Sequence, residues 1–386
     1  MLFGHKFWSL FFFILLGLFV ACSPAADEPI DRQVASFQGV VAEGEETLIP
    51  ILPTLVPTAA RILPTLTAIP TLDVPPTYTP SSSATPEPEP SETPLPPTNT
   101  PAPVSQNCPV ESPAVPDYQR FNLGTTRWPE PNEALTDHLW LDKPLPGGGR
   151  YLINTTFPYG WDGSGAYILH NGVDTGAPLG TPLLAVGDGT VIVAQSDENK
   201  LFGWRCDWYG QLVVIELDQQ WLGQPIFALY GHVLNIMVEP GDEVIRGQQL
   251  AEVGFGGAAI VPHLHFEVRV GSNEYENTRN PMLWVRPPES RGLIAGRLID
   301  SNGYPWEGVW MMAQSLTNSD TEYVTWSYLD DPRNLIKPDA RYGENFVFTD
   351  MRPGRYRIYI EVNDKRYTAD VEVVGGEIST VEIVTN

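Results

Sequence analysis

The chain has 386 residues, with 47 Asp or Glu against 23 Lys or Arg, 38 prolines and three cysteines. A formal charge of −24 excludes the clustered cations that nucleic acid or anionic lipid would require, and three cysteines exclude a disulfide-built scaffold. Proline is concentrated, since 19 of the 38 lie between Pro50 and Pro116.

Residues 1–21 read as an export signal. Phe7 to Val20 are apolar but for Ser9, too short a run for a membrane span of about 20 residues but right for a signal core. The run ends Leu18-Phe19-Val20-Ala21-Cys22, which resembles the lipobox of bacterial lipoproteins. That resemblance implies lipidation of Cys22 and a membrane held through a lipid anchor. Phe19 stands where leucine is usual, and the alternatives are cleavage as an ordinary signal with Cys22 incidental, or an uncleaved anchor. Every version exports the rest of the chain, so the expected location is extracytoplasmic, facing the cell wall.

Residues 22–117 carry Pro-Thr repeats and no sustained periodicity of strand or helix. Proline fixes φ and removes backbone donors, and little apolar surface is present to offset chain entropy. A disordered, extended stalk is expected, spanning about 3.1 Å per residue where it is polyproline-like.

From Tyr118 aromatics rise and short β-type runs alternate with glycine turns. The clearest are Leu183–Ser196, Gln211–Asp218, Pro225–Val233, Gln248–Val253 and His263–Val270. They predict a mostly antiparallel β domain over 118–290. Five of the six histidines fall here, and four of them, His170, His232, His263 and His265, lie in the β-type part of the domain. His138 stands alone and reads as a surface or structural residue. His170-Asn-Gly-Val-Asp174 places a histidine and a carboxylate at a turn. In His263-Leu-His265 the alternation of a strand puts both imidazoles on one face and Leu264 with Phe266 on the other. Two histidines and one carboxylate meet the needs of a catalytic zinc, which takes three protein ligands and leaves one position open. Two further histidines can serve proton transfer. Each pair alone is a weak signal; four histidines and an aspartate from three β segments are a strong one.

Together with Gly180-Thr-Pro-Leu-Leu-Ala-Val-Gly-Asp-Gly-Thr-Val191, Tyr230-Gly-His232, Pro240-Gly-Asp-Glu-Val-Ile-Arg-Gly247 and Pro262-His-Leu-His-Phe-Glu267, these residues resemble the lysostaphin-type, or LytM-like, zinc metallopeptidases. The resemblance covers roughly residues 150–285. It implies an antiparallel β-sheet domain with a long open groove and one Zn2+ per chain, held by His170, Asp174 and His265. His232 and His263 match the family's catalytic histidines, and peptidoglycan peptide is the implied substrate. Val261-Pro262 replaces the usual Gly-Pro, and Gly254-Phe-Gly-Gly257 lacks a usual threonine. Some members have lost ligands and act as activators of other wall hydrolases, so a non-catalytic wall-binding lipoprotein is the rival reading. Tyr159 and Tyr167 are candidates for a tyrosine that aids the transition state in some relatives.

Asp197–Tyr209 reads as a loop insertion whose Trp204 and Trp208 either line a groove or pack the loop down. Cys206 in this loop and Cys108 at the end of the stalk either pair or remain free thiols. Residues 291–386 hold seven β runs, Leu293–Asp300, Val309–Ser315, Tyr323–Tyr328, Asn345–Asp350, Arg355–Val362, Tyr367–Val374 and Ser379–Val384, and suggest an immunoglobulin-like sandwich. Ile294-Ala-Gly-Arg-Leu-Ile-Asp-Ser-Asn-Gly303, Pro353-Gly-Arg-Tyr356 and Val373-Val-Gly-Gly376 resemble the carboxypeptidase regulatory-like, transthyretin-type fold. Trp306, Trp310 and Trp326 are candidates to bind a wall polymer, against a plain spacer or stabilising role. No protein partner is indicated.

Overall fold

The computed structural model describes Cys108, residues 113–146, 157–331, Arg333 and residues 335–386. The signal segment, Cys22 and all of the stalk but Cys108 and its last five residues lie outside the described residues.

The element that organises the first β domain is the strand His263–Val270 (β10), pinned on both edges. One edge pairs antiparallel with Gln224–Gly231 (β6), from His265↔Gly231 to Val270↔Ile226. The other pairs first with Val173–Gly176 (β2), placing His265 opposite Asp174, and then with Thr278–Arg279 (β11). Beyond β6 the sheet continues through Gln211–Trp221 (β5), Gly189–Ser196 (β4) and Glu243–Val244 (β8). β5 and β6 form a hairpin whose two turn residues, Leu222 and Gly223, both take positive φ (52° and 74°), the geometry that matches strand twist. A small second sheet joins Pro182–Leu184 (β3), Gln249–Val253 (β9) and Val233–Leu234 (β7).

The run expected as one strand over 183–196 is two. β3 ends at Leu184 and β4 begins at Gly189, and they belong to different sheets. The break falls at Gly187-Asp188-Gly189, where turn-forming residues interrupt the apolar alternation.

The C-terminal part forms two further sheets. One orders Phe346–Met351 (β16), Gly292–Asp300 (β12) and Ile378–Thr385 (β19), with β12 and β19 parallel. The other orders Glu322–Trp326 (β15), Trp310–Ser315 (β14), Gly354–Val362 (β17) and Lys365–Val373 (β18). Alternate residues of both, such as Ile294, Phe346 and Phe348 from the first and Met311, Ile358 and Ile360 from the second, bury into one core. The seven expected strands are present to within two residues, and the regular structure of the described residues is almost wholly β. Among the described residues the helical pieces are two 3-10 turns, Tyr275–Asn277 and Pro281–Leu283, and no helix is long and apolar enough to cross a membrane.

The two β parts are one packed body within Pro94–Asn386. Leu293, Ala295, Tyr342, Val347 and Ile378 of the C-terminal part join the core of the first. The segment 118–146 stitches them further. Its Asn122–Leu123 (β1) pairs with Trp306–Glu307 (β13), Trp128 N–H donates to Gly303 and Asn132 N–H to Ala340. It then crosses to the first domain, where Leu141 N–H donates to Trp284. His138 sits at this crossing, fully buried, stacked on Trp284 at 3.9 Å with Nε2 2.9 Å from Asp339 Oδ2. It is structural. Cys108 and Cys206 are joined in a disulfide, Cα to Cα 5.8 Å, tying the end of the stalk to the loop insertion.

Candidate functional site

Four imidazoles and one carboxylate converge where β2 meets β10. His170 lies just before β2, Asp174 within it, His263 and His265 on β10, and His232 just after β6. His170 Nε2 is 3.1 Å from Asp174 Oδ1, His265 Nδ1 is 2.8 Å from the same oxygen, and the two histidine nitrogens are 3.4 Å apart. His263 Nε2 stands 3.7 Å from that oxygen. The rings of His232 and His263 are 4.7 Å apart.

Each histidine is oriented in the same way: one ring nitrogen faces an acceptor, so the other is left for the site. His170 Nδ1 donates to the carbonyl of Phe157 at 2.7 Å, and the Phe157 ring stacks on it at 4.2 Å. His232 Nδ1 donates to Gly256 at 2.9 Å, and His263 Nδ1 to Val261 at 2.8 Å. His265 Nε2 donates to the Glu267 carboxylate at 3.0 Å. This fixes tautomer and ring angle, as in metal sites where a ligating histidine anchors its second nitrogen. His232 itself takes positive φ (60°), a conformation held by Tyr209, whose carbonyl receives the His232 N–H at 2.9 Å.

Close backbone approach makes the geometry possible. A Cβ on Gly172 would lie 2.6 Å from the Phe266 carbonyl and 2.8 Å from the His265 ring, so only glycine lets the His170–Asp174 turn close on β10. Gly254-Phe-Gly-Gly257, which departs from the family pattern, still supports the site: Gly254 N–H donates to His232 and Gly256 accepts from it.

Two charged residues beneath the histidines were not singled out from sequence. Glu267 and Arg269 are both fully buried. Glu267 Oε1 accepts from His265, from Asn171 Nδ2 at 2.7 Å and from the Tyr209 hydroxyl, while Oε2 accepts from Arg269 Nε at 2.7 Å. Arg269 also donates to Tyr209 Oη, Phe202 O and Asn273. A buried charge is costly unless paired and hydrogen-bonded, and here nearly every donor and acceptor is used. The signal was present: along β10 the period of two that sets His263 and His265 on one face carries Glu267 and Arg269 onto it as well.

The charges are matched. Burial opposes ionisation of Glu267, but the Arg269 guanidinium and the bonds from His265 and Tyr209 outweigh it and hold the carboxyl down at about 2. Burial likewise opposes ionisation of Asp174, and His170 and His265 pull it well below the usual carboxylate range. With no metal, burial disfavours the His265 cation, yet Asp174 and Glu267 raise it to about 9. Burial, then the neighbouring His265 and His263, depress His232 to about 3 and keep it neutral.

The other candidates lie elsewhere. Tyr159 is buried with its hydroxyl 3.1 Å from Thr278 Oγ1. Tyr167 is exposed against Phe157. Trp204 is buried under the Arg333 guanidinium at 3.9 Å, and Trp208 is half-buried with its carbonyl receiving Ala258 N–H, so both pack the loop down.

The sheet brings two histidines and an aspartate to a common point, flanked by two more histidines, and the three donor atoms could hold one metal ion. Residues 168–278 match the model of Peptidase family M23, and this part of the chain is an M23 peptidase domain of the LytM and lysostaphin type. The peptidoglycan DD-endopeptidase ShyB of Vibrio cholerae serotype O1 is 36% identical over 107 residues, 28% of this chain and 22% of ShyB. The lipoprotein NlpD/LppB homolog of Pseudomonas aeruginosa is 35% identical over 119 residues, 29% of this chain and 35% of that protein. Among solved structures, the catalytic domain of the antimicrobial peptidase lysostaphin from Staphylococcus simulans is 28% identical, covering 32% of this chain and 84% of that one, with a TM-score of 0.26. The chain thus spans about a fifth to a third of the curated relatives named. The family match ends at residue 278, before the C-terminal sheets.

Proposed function

We propose that the chain is an exported zinc metalloendopeptidase that hydrolyses peptide cross-links of bacterial peptidoglycan. The observation that carries the reading is the spacing of His170 Nε2, Asp174 Oδ1 and His265 Nδ1, at 3.1, 2.8 and 3.4 Å. Ligands about 2.0–2.1 Å from a tetrahedral zinc lie about 3.3 Å from one another, so the three atoms fit one ion with little movement. A histidine–aspartate hydrogen bond accounts for either of the shorter distances but not for two histidine nitrogens turned to one carboxylate oxygen and to each other.

Zinc held there supplies Lewis-acid activation of water and of the scissile carbonyl. The chain's residues do the rest. Glu267 orients His265, and Phe157 orients His170. His263 Nε2, 3.7 Å from the ligand carboxylate, takes the proton of the attacking water and passes it to the leaving amine. His232, held neutral with its Nδ1–H on Gly256, turns an unprotonated Nε2 to the site and serves as a second proton acceptor beside the His263 ring. The peptidoglycan substrate rests on likeness to the peptidoglycan DD-endopeptidase ShyB. Lipid anchoring through Cys22, and a carboxypeptidase regulatory-like identity for the C-terminal sheets, belong to the same proposal and rest on the residues quoted for them.

The experiment compares wild type with His265→Ala on peptidoglycan sacculi, with zinc content measured. Zinc near one per chain and newly released amino termini, both lost in the variant, support the reading. A wild type that holds no zinc and releases none overturns it. The rival, a non-catalytic wall-binding lipoprotein or activator, draws on the likeness to the NlpD/LppB homolog. It expects His265→Ala cells to behave as wild type while deletion of the domain does not.

A further inference from the structure

The ligand His170 stands at the end of a loop whose support comes largely from outside the M23 domain. The residues of this loop, 157–170, double back on themselves: Gly160 N–H donates to the His170 carbonyl at 2.8 Å and His170 N–H to the Trp161 carbonyl at 3.0 Å. Phe157 accepts from His170 Nδ1. These three partners of the His170 ring and backbone all lie in 157–161.

The end of β15 and the segment that follows it grip that stretch at three points. Leu329 N–H donates to the Gly160 carbonyl at 3.0 Å. The Tyr328 ring covers Gly160, which takes φ +78° and whose Cβ, if present, would lie 2.5 Å from Tyr328 Cδ1. Trp326 stacks on Trp161 at 5.0 Å and 12°. Tyr328 is itself fastened on both sides, accepting from Asn280 Nδ2 at 2.9 Å and donating to Glu344 at 3.2 Å. Trp161, Leu169, Tyr328 and Leu329 are all buried in one cluster.

We propose that Trp326, Tyr328 and Leu329 are positioning residues for His170, so that the C-terminal sheets set the metal site rather than serve as a spacer. The proposal rests on the zinc-site reading. None of the three touches the donor atoms; they act by holding Gly160 and Trp161, which hold His170. Outer partners that orient a ligand commonly change metal affinity by about 10- to 100-fold.

The test uses the full chain and zinc alone, measured by competition with a chromophoric chelator, with the visible spectrum of the cobalt-loaded protein as a second readout. The variants are Trp326→Leu and Tyr328→Leu, which remove the stack and the cover but keep an apolar side chain; the second also removes the hydroxyl bonded to Asn280 and Glu344. Ile360→Ala, deep in the C-terminal core and remote from the loop, is the control for lost stability alone. At a temperature where all remain folded by circular dichroism, the two interface variants are expected to bind zinc about 10- to 100-fold more weakly. Their cobalt spectra should weaken in the tetrahedral region, while Ile360→Ala matches wild type. Folded interface variants with wild-type affinity and spectrum overturn the proposal, as does an equal loss in Ile360→Ala. A wild type that binds no zinc instead overturns the metal reading on which it rests.

Discussion

Asp174 and His265 are cross-strand partners, directly opposite in the β2–β10 ladder, with Asp174 Oδ1 2.8 Å from His265 Nδ1. Two ligand positions are thus joined by backbone pairing, and His170 completes the set from the turn that leads into β2. Asp174→Ala should remove one of three donors and leave two buried histidines without their carboxylate. Zinc content is expected to fall from about one per chain to a small fraction at micromolar zinc. Zinc should also cease to raise the melting temperature, which in wild type climbs with metal concentration by mass action. Calorimetry with and without zinc reads both effects.

Glu267 lies behind His265, and its worth is split between metal and fold. Glu267→Gln keeps an acceptor for His265 and Tyr209 but turns an amide towards the buried Arg269. The expected cost is about 3–5 kcal/mol of stability, the range for breaking a buried ion pair. A roughly 10- to 100-fold loss of zinc affinity should accompany it. Denaturant titration and chelator competition measure the two separately.

These residues show what was legible in sequence. His263 and His265 share a face because strands alternate, and Asn171-Gly172 marks the turn that presents His170 and Asp174. Glu267 and Arg269 obey the same alternation, yet charged side chains read as solvent-facing until the fold shows a layer covering them. Tyr209 was missed for a different reason. It acts through its carbonyl on His232 as well as through its hydroxyl, and backbone roles set by a close tertiary approach leave no mark on residue type. The grip of Tyr328 and Leu329 on Gly160 was likewise unreadable, since it joins segments remote in the chain. The seven C-terminal strands were legible because each alternates between turns, and their shared core with the first domain was not.

Glu344 predicts how stability depends on pH. It is buried beside Asp339, and burial first, then that charge, lift its carboxyl from an ordinary 4.5 to about 8. The folded state therefore holds a proton that the unfolded chain has released between pH 4.5 and 8. Stability from this group is full below pH 4.5 and is lost as pH rises through that window. Glu307, lifted to about 7 by burial and by Asp330, adds to the same slope. Wild type should melt at lower temperature at pH 9 than at pH 5. Glu344→Gln should flatten the profile between pH 5 and 8 whatever its absolute stability. A wild-type profile that rises across this range contradicts the assignment.

The Cys108–Cys206 disulfide closes a separation of 98 residues. A cross-link of that span stabilises by about 2–5 kcal/mol, chiefly by restricting the unfolded chain. Cys206→Ser should lower the urea midpoint accordingly. Because Asp197 Oδ2 and the Gly210 carbonyl keep the insertion tied at its base, zinc affinity should stay within about threefold of wild type. Urea melts and chelator competition on the same sample check both halves.

The central claim is that this site cleaves peptide bonds with His263 moving the proton. The direct measurement is release of new amino termini from sacculi by zinc-loaded wild type and by zinc-loaded His263→Ala, with metal content determined in each. The account predicts that His263→Ala keeps its zinc and loses about 10²- to 10⁴-fold in rate, the usual contribution of a positioned acid–base group. A fully loaded His263→Ala that releases amino termini at the wild-type rate, or a fully loaded wild type that releases none, would contradict it.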